Sequence, residues 1–345
     1  MTHIGLIYGG QSSEHEVSVR SARNVFAALR PERYRVTPVR IDRTGRWHLE
    51  TADSAALHSA AGQAATAPAG TDGVLALAAL DLDVALPMLH GQNGEDGRVQ
   101  GFLQTLGIPY VGAGVLASAA CMDKEVTKRI LRDAGLPIVP FRLAHPGDRP
   151  TFEVATADLG PVLFVKPANS GSSVGTARAE DEAGYEQALD EAFGYDRKVL
   201  VEAAIAGREI ECAVLGNEEP RVAVPGEIVS TAAFYTYDAK YEDPDASRME
   251  VPADLPEEVA ERVRGLAVEA YRALGCEGMS RVDFFLTPGY DVFVNEINTI
   301  PGFTERSMFP VMWKHSGLPI EDLLDTLVDL ALDRHERDAR FKTTR

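Results

Sequence analysis

The strongest constraint on the fold is the repetition of apolar strand, glycine-rich turn and helix near the start of the chain. Residues 4–41 contain a short apolar strand, the Gly9-Gly10 pair, an amphipathic helix and a second strand. Residues 81–107 repeat the order strand, glycine-rich turn and helix. Consecutive strands joined through helices form a parallel sheet with helices packed on it. The sequence therefore predicts an α/β unit at this end of the chain.

The remainder has a different organisation, in which several strands follow one another without crossover helices. We predict three domains: an α/β domain over 1–115 and two α+β domains over 116–205 and 206–345. The alanine-rich stretch 51–70 has no large apolar side chains and is expected to be a surface excursion. A polar loop near 230–250 is the candidate for a mobile lid.

Composition limits the classes of partner. The formal net charge is −18, which argues against a nucleic-acid partner because phosphate backbones require a basic surface. No apolar run reaches about 18 residues, so no membrane span is expected. The N-terminal residues show no signal-peptide pattern. Cys121, Cys212 and Cys276 are far apart and form no CxxC pair, which favours three reduced thiols and a cytoplasmic protein.

A hairpin carries four polar side chains inside apolar strand sequence, "SRVDFFLTPGYDVFVNEINTIPG" over 280–302. If the turn is Pro288 to Asp291, Thr287 pairs with Val292. Counting back from this pair then places one carboxylate opposite the other, and the arginine opposite the asparagine. Since side chains alternate along a strand, all four project from one face. The predicted pairs are Asp283 with Glu296 and Arg281 with Asn298.

This face predicts a cation site. Neighbouring carboxylates repel unless a positive charge lies between them. Two carboxylates and an amide oxygen suit Mg²⁺, which completes its shell with water and phosphate oxygens. Arg281 would complement a phosphate or an oxyanion. The alternative is a solvated face of an edge hairpin that carries a surface ion pair.

Small residues follow a buried strand in "FVKPANSGSSVGTA" (164–177), which predicts a loop whose N–H groups approach an anion. Lys166 at the strand end could reach the same phosphate, and no Walker motif occurs in the chain. Lys124, in a helix predicted to start near Cys121 and to stop at Gly135, is a second candidate. The alternatives are a flexible Ser-Gly turn and a surface helix lysine.

Two carboxylates in "VLVEAAIAGREIECAV" (199–214) are candidates for nucleoside recognition. Glu202, placed at the link between two predicted strands, could accept a hydrogen bond from an adenine amino group. Glu209 could accept from ribose hydroxyls. The alternative is a pair of solvated loop carboxylates.

Taken together, these blocks resemble the D-alanine–D-alanine ligases of the ATP-grasp superfamily, almost from end to end. The blocks are "GGQSSEHEVS" (9–18), "LHGQNGEDGRVQG" (89–101), "MDK" (122–124), "KPANSGSSVG" (166–175), "YTYDAKY" (235–241), "RVDFF" (281–285) and "NEINTIPGFT" (295–304). The resemblance implies a three-domain ATP-grasp fold whose N-terminal parallel-sheet domain precedes the ATP-grasp domains.

The resemblance also implies roles for individual residues. Lysines would bind ATP phosphates, Lys240 would close over them from the lid, and other residues would hold adenine and ribose. The implied ATP-binding residues are Lys124, Lys166, Ser173, Glu202, Ile205, Glu209, Phe234 and Lys240. Two Mg²⁺ or Mn²⁺ ions would bind Asp283, Glu296 and Asn298. A monovalent cation such as K⁺ is a further candidate.

For the reacting groups, the resemblance implies that Glu14 anchors the ammonium of the first D-alanine with His90 nearby. Glu14 would form a hydrogen-bonded triad with Ser172 and Tyr241. The oxyanion would be bound by Arg281 and the N–H of Gly302. The carboxylate of the second D-alanine would meet Ser307 and Met308.

The implied reaction forms a D-alanyl phosphate from ATP, which the amine of a second D-alanine attacks. D-alanyl-D-alanine, ADP and phosphate are released. The dipeptide would serve peptidoglycan precursor synthesis and hence cell-wall synthesis and cell shape. The enzyme is expected to be a homodimer that needs neither nucleic acid nor membrane. Three alternatives stay open: another ATP-grasp carboxylate–amine ligase, a non-catalytic nucleotide-binding module, and a D-alanine–D-lactate ligase. Relatives of the last kind typically carry histidine at the position matching Tyr241, so the tyrosine favours dipeptide formation.

Overall fold

The computed structural model describes residues 1–50, 77–230 and 247–342. Its strands are β1 (Thr2–Gly9), β2 (Tyr34–Ile41), β3 (Trp47–Leu49), β4 (Val84–Met88), β5 (Phe141–Ala144), β6 (Leu163–Pro167), β7 (Ala177–Ala179), β8 (Val199–Ala203), β9 (Arg208–Gly216), β10 (Arg221–Val222), β11 (Gly226–Ser230), β12 (Ser247–Glu250), β13 (Gly278–Leu286) and β14 (Val292–Asn298). Its helices are α1 (His15–Ala28), α2 (Arg98–Thr105), α3 (Val115–Met122), α4 (Lys124–Asp133), α5 (Phe152–Leu159), α6 (Glu182–Phe193), α7 (Glu257–Ala273), α8 (Met308–His315) and α9 (Ile320–Ala339). Within these ranges, no helix has the length and apolar character needed to span a bilayer.

The first sheet has the strand order β3-β2-β1-β4, and β1 pairs in parallel with both β2 and β4. All residues of β1 after Thr2 are buried, as expected for a strand with a covering layer on both faces. Ala22 and Val25 of α1 pack into the same apolar cluster as Ile4 and Leu6 of β1. The predicted N-terminal parallel sheet is therefore confirmed.

Two antiparallel sheets form the rest of the fold. One has the order β5-β8-β6-β7, and α6 packs on it through Tyr185 and Leu189. The other has the order β12-β11-β9-β13-β14, with β10 paired to β9. Helix α7 covers the latter through Val263, Ala267 and Tyr271. The later part of the chain is thus α+β, as the sequence predicts.

The C-terminal helix α9 returns to the first sheet. Leu323, Leu324 and Leu327 belong to the same apolar cluster as Leu6 of β1. At the edge of this contact, the Tyr34 hydroxyl donates a hydrogen bond of 2.5 Å to an oxygen of Asp325. The first and last parts of the chain therefore share a core. The predicted domain boundaries at residues 115 and 205 stay predictions.

The hairpin of β13 and β14 corrects one prediction. Leu286, not Thr287, pairs with Val292, because the turn holds five residues rather than four. A β-bulge at Asn295 then inserts one extra residue into β14, which shifts the register back between Asp283 and Phe284. The predicted pairs Asp283 with Glu296 and Arg281 with Asn298 are present because the two one-residue shifts cancel.

The helix predicted from Cys121 to Gly135 is also corrected. Helix α3 ends at Met122, and α4 starts at Lys124 after Asp123, which adopts an extended backbone conformation. The Asp123 carboxylate caps α4 by accepting hydrogen bonds from the N–H groups of Glu125 and Val126. The break makes Lys124 the first residue of α4 rather than the fourth residue of a helix that starts at Cys121.

Several predictions fall on parts of the chain outside the described residues. These are the alanine-rich stretch 51–70, most of the loop near 230–250, and Phe234, Lys240 and Tyr241.

Candidate active site

A cavity of about 530 Å³ is lined by residues from all parts of the fold. Twelve of the residues singled out from the sequence line it: Glu14, His90, Lys124, Ser172, Glu209, Arg281, Asp283, Glu296, Asn298, Gly302, Ser307 and Met308. Lys166, Ser173, Glu202 and Ile205 do not belong to this lining. The strand hairpin thus faces a cavity that it shares with other elements of the fold.

Arg281 is held by two carboxylates. Its Nε and Nη2 atoms donate to the two oxygens of Asp283, each at 2.6 Å, and Nε lies 3.0 Å from Oε2 of Glu211. Although burial opposes the charge, Asp283 and Glu211 raise the pKa of Arg281 well above its ordinary value. The cavity therefore contains a permanently charged guanidinium.

Glu211 is a site residue that the sequence analysis missed. In the register of β9 against β13, Glu211 lies directly opposite Asp283, and Glu209 lies opposite Phe285. Residues opposite each other in antiparallel strands point to the same side of the sheet. The alternation of Glu209 and Glu211 in "REIECAV" indicates that both carboxylates lie on one face of a strand. Only the pairing of β9 with β13 shows that this face is shared with Asp283.

The oxygen donors of the hairpin fit a hard divalent cation. Asp283, Glu296 and Asn298 line the same cavity, and carboxylate and amide oxygens are preferred ligands of Mg²⁺. No group of three His, Cys, Asp or Glu residues within the described ranges is close enough to hold a metal by itself. This donor set therefore suits a cation that takes its other ligands from phosphates and water, which is the behaviour of Mg²⁺.

Two lysines approach the hairpin from other elements. Lys124 Nζ donates to the carbonyl of Ser170 at 2.6 Å and lies 3.4 Å from Oε2 of Glu296. Lys166 Nζ lies 2.7 Å from Oε2 of Glu202 and 3.4 Å from Oδ1 of Asn295. Both ammonium groups are thus next to the acidic hairpin, although only Lys124 is among the residues that line the cavity.

The placement of Glu202 at a link between strands is wrong. Glu202 lies inside β8 and is 3% exposed, so neither the link position nor the solvated alternative holds. Burial raises the pKa of Glu202, but the charges of Lys128 and Lys166 outweigh burial and lower it. Its contact with adenine stays a prediction, and Ile205 follows β8 in the segment leading to β9.

The serine-glycine loop meets the N-terminus of α1. Ser172 Oγ donates a hydrogen bond of 2.5 Å to Oε1 of Glu14, which immediately precedes α1. Ser172 and Ser173 have φ angles of 50° and 61°, a region that non-glycine residues rarely adopt. A Cβ atom on Gly171 would lie 2.8 Å from Oε2 of Glu14. The loop therefore accepts backbone strain, and a side chain at position 171 would displace this carboxylate.

His90 connects α1 to the loop after β14. The partners assign its protonation: the carbonyl of Ile300, 2.9 Å from Nδ1, can only accept, so Nδ1 carries the hydrogen. Ser21 Oγ, 2.9 Å from Nε2, then donates to the ring and accepts from the N–H of Phe303. Burial lowers the pKa of His90, which favours this neutral form. His90 thus positions the loop containing Gly302.

Gly302 and Ser307 lie in the loop between β14 and α8. A Cβ atom on Gly302 would lie 2.8 Å from Oγ of Ser307. The Gly302 N–H forms no hydrogen bond to any residue in the described ranges. Ser307 Oγ accepts from the N–H of Thr304 at 3.0 Å, and Met308 begins α8. A backbone donor and a helix N-terminus therefore face the cavity together, which suits anion binding.

Glu95 is a second residue that the sequence analysis missed. Burial and the nearby charge of Glu14 raise the pKa of Glu95 to about 8, although the N–H groups of Gly91 and Ile300 donate to its oxygens. Its carboxyl group is therefore protonated at neutral pH in the folded protein.

Replacing Glu95 with glutamine should remove part of the pH dependence of stability. The unfolded chain releases this proton near pH 4.5 and the folded protein near pH 8, so this group destabilises the wild type increasingly as the pH rises between those values. One proton corresponds to about 1.4 kcal/mol per pH unit. Urea unfolding of wild type and Glu95→Gln at pH 5, 6.5 and 8 measures the effect, and the variant should gain on the wild type. Parallel profiles would contradict it.

Comparison with known proteins gives matches over nearly the whole chain. The family described as "D-ala D-ala ligase N-terminus" matches residues 3–113, and "D-ala D-ala ligase C-terminus" matches residues 130–329. The D-alanine–D-alanine ligase A of Chromobacterium violaceum is 49% identical and covers 97% of this chain and 96% of its own length.

Solved structures give the same result. The D-alanine–D-alanine ligase of Coxiella burnetii has a TM-score of 0.83 and 37% identity, covering 99% of this chain and 98% of its own. The VanG D-Ala:D-Ser ligase of Enterococcus faecalis has a TM-score of 0.82 and 33% identity, with coverages of 96% and 99%. The Bacillus anthracis D-alanine–D-alanine ligase complexed with ATP has a TM-score of 0.78 and 30% identity, with coverages of 98% and 100%.

Proposed function

Given that this chain belongs to the D-alanine–D-alanine ligase family and is an ATP-dependent ligase that joins two D-alanines, we propose that it does so in the cavity described above. The supporting observation is that the hairpin residues Arg281, Asp283, Glu296 and Asn298 line one cavity together with Glu14. The proposed phosphate-binding residues and the proposed amino-acid-binding residue would thus share one cavity.

The first half-reaction is phosphorylation of a D-alanine carboxylate by ATP. Phosphoryl transfer requires positioning and charge neutralisation more than a covalent nucleophile. Lys124 and Lys166 would bind the phosphates, and Mg²⁺ or Mn²⁺ held by Asp283, Glu296 and Asn298 would neutralise their negative charge. Glu14, fixed by Ser172, would bind the substrate ammonium.

The second half-reaction is attack of the second amine on the D-alanyl phosphate. The tetrahedral oxyanion would be bound by Arg281 and the Gly302 N–H, which are a charged donor and a backbone donor that line the cavity. Asp283 is one of the residues that would hold the cation, and Glu211 would be the second carboxylate that keeps Arg281 in place. Phosphate leaves, and the carboxylate of the second D-alanine would lie against Ser307 and Met308.

The remaining expectations rest on family membership. We propose a role in peptidoglycan precursor synthesis, a homodimer, and a location in the cytoplasm, where ATP is available. The division into domains 1–115, 116–205 and 206–345 belongs to the same proposal. A need for K⁺ stays a prediction.

Phosphate release with D-alanine, L-alanine and D-lactate, offered singly and in pairs from pH 6 to pH 9, tests the function. D-alanine alone should support turnover and form the dipeptide, while L-alanine alone should not. Equal turnover with both enantiomers would contradict the proposed substrate and favour another carboxylate–amine ligase.

Tyr241 is expected to select against D-lactate as second substrate. A protonated histidine there would repel the ammonium of D-alanine and favour the neutral hydroxyl of D-lactate. Because a D-Ala:D-Ser ligase has the same fold, such selection must depend on individual residues. Tyr241→His and Tyr241→Phe should form D-alanyl-D-lactate at pH 6 at a rate at least about tenfold above wild type. Undetectable ester from both variants would contradict the assignment.

A further inference from the structure

A buried lysine lies one helical turn after Lys124 and has no role in the proposed reaction. Lys128 in α4 is completely buried, and its Nζ lies 3.0 Å from Oε1 of Glu202 and 3.4 Å from the carbonyl oxygen of Val139. The ring of Phe141 lies 5.8 Å away. Burying an ammonium group costs free energy unless its charge is paired, so the presence of a lysine at this buried position needs an explanation.

Glu202 connects this lysine to the nucleotide site. Its second oxygen, Oε2, lies 2.7 Å from Lys166 Nζ, so one carboxylate lies between two ammonium groups. Lys166 in turn reaches Asn295, the residue next to Glu296 in the bulge of β14. The row of charges consists of Lys128 on α4, Glu202 on β8 and Lys166 on β6, and it leads to the acidic hairpin. These three side chains carry a net charge of one positive charge.

We propose that Lys128 is a positioning residue for ATP, which neutralises Glu202 and so keeps the charge of Lys166 available to the nucleotide phosphates. The proposal rests on the proposed function, because it takes ATP as the ligand. Without Lys128, the carboxylate of Glu202 would be compensated by Lys166 alone, and their combined charge would be zero. In a buried environment such a change of one charge acts strongly on a neighbouring anion.

A purely structural role explains the lysine less well. An apolar side chain of similar length would fill the same space without the cost of removing an ammonium group from water. The charged groups around Lys128 are Glu202 of β8, Lys166 of β6 and Glu296 of β14. Burial lowers the pKa of Lys128 to about 8, with Glu202 opposing and Lys166 supporting the shift. Nucleotide affinity should therefore fall above pH 8 as this ammonium loses its proton.

A double-mutant cycle tests the coupling. Isothermal titration calorimetry at pH 7 would measure the Kd of the magnesium complex of a non-hydrolysable ATP analogue, without D-alanine, for wild type, Lys128→Met, Glu202→Gln and the double variant. Lys128→Met should raise Kd about tenfold in the wild-type background and less than about threefold in the Glu202→Gln background. The matched control is Arg129→Met, which removes an exposed charge from the same helix and should leave Kd unchanged.

The outcomes separate the two proposals. A wild type that binds no analogue overturns the proposed function. A wild type that binds while Lys128→Met weakens binding equally in both backgrounds, or in neither, overturns only the role of Lys128. Should Lys128→Met fail to fold, the comparison of the double variant with Glu202→Gln and a wild-type Kd series from pH 7 to pH 9 decide. A threefold or larger difference in Kd between the double variant and Glu202→Gln overturns the proposal. So does a wild-type Kd that stays constant from pH 7 to pH 9.

Discussion

Glu296→Gln is expected to reduce kcat by at least about 100-fold while the protein stays folded. The substitution removes one of two carboxylates that would hold the cation against the phosphates. The amide keeps the size of the side chain, so little packing is lost. Glu296 is also partly exposed, and Lys124 retains its hydrogen bond to the Ser170 carbonyl, which limits the effect on stability.

Measurement of ADP release across a Mg²⁺ titration, together with thermal unfolding, checks this prediction. Asp291→Asn is the matched control, because it exchanges an exposed carboxylate for an amide in the turn of the same hairpin. It should retain wild-type kcat and the same Mg²⁺ dependence. A fully active Glu296→Gln protein would remove Glu296 from the metal assignment.

Arg281→Met is expected to lower both activity and stability. The loss of a charged donor to the oxyanion should reduce kcat about 100- to 1,000-fold. The same change leaves Asp283 and Glu211 close together without the guanidinium that holds them, since they lie opposite each other on β13 and β9. Breaking such a partly buried ion pair should cost about 3 kcal/mol of unfolding free energy.

Urea unfolding and steady-state kinetics on the Arg281 variants separate the two effects. Adding Glu211→Gln to Arg281→Met removes one of the two repelling carboxylates, so stability should recover in part while kcat should not. Arg262→Met, which removes an exposed arginine near the same hairpin, serves as control. Wild-type kcat in Arg281→Met would refute the oxyanion role, and unchanged stability would refute the charge balance.

The hairpin shows how far local pattern carries. Side-chain alternation placed Arg281, Asp283, Glu296 and Asn298 on one face, and the structure agrees. The turn length was wrong, and the β-bulge at Asn295 compensated for it. A bulge depends on how β14 fits its neighbours, so no local pattern in the hairpin revealed it.

Glu202 shows where local pattern fails. Its position between two apolar runs resembled a solvated link, yet the lysines that neutralise it come from α4 and β6. Glu211 and Glu95 were missed for the same reason. Each depends on tertiary contacts: Arg281 holds Glu211, while burial and the charge of Glu14 raise the pKa of Glu95.

The amino-acid sequence by itself determined the classes of the sheets, the polar face of the hairpin, the serine-glycine loop and the ligase family. These properties follow from periodicity, turn residues and motif order, which act over a few residues each. Only the tertiary structure decided which charges meet, which carboxyl group keeps its proton and which lysine is buried. Electrostatic energies depend on distance and on exclusion of water, and both are set by the packing of segments far apart in the chain.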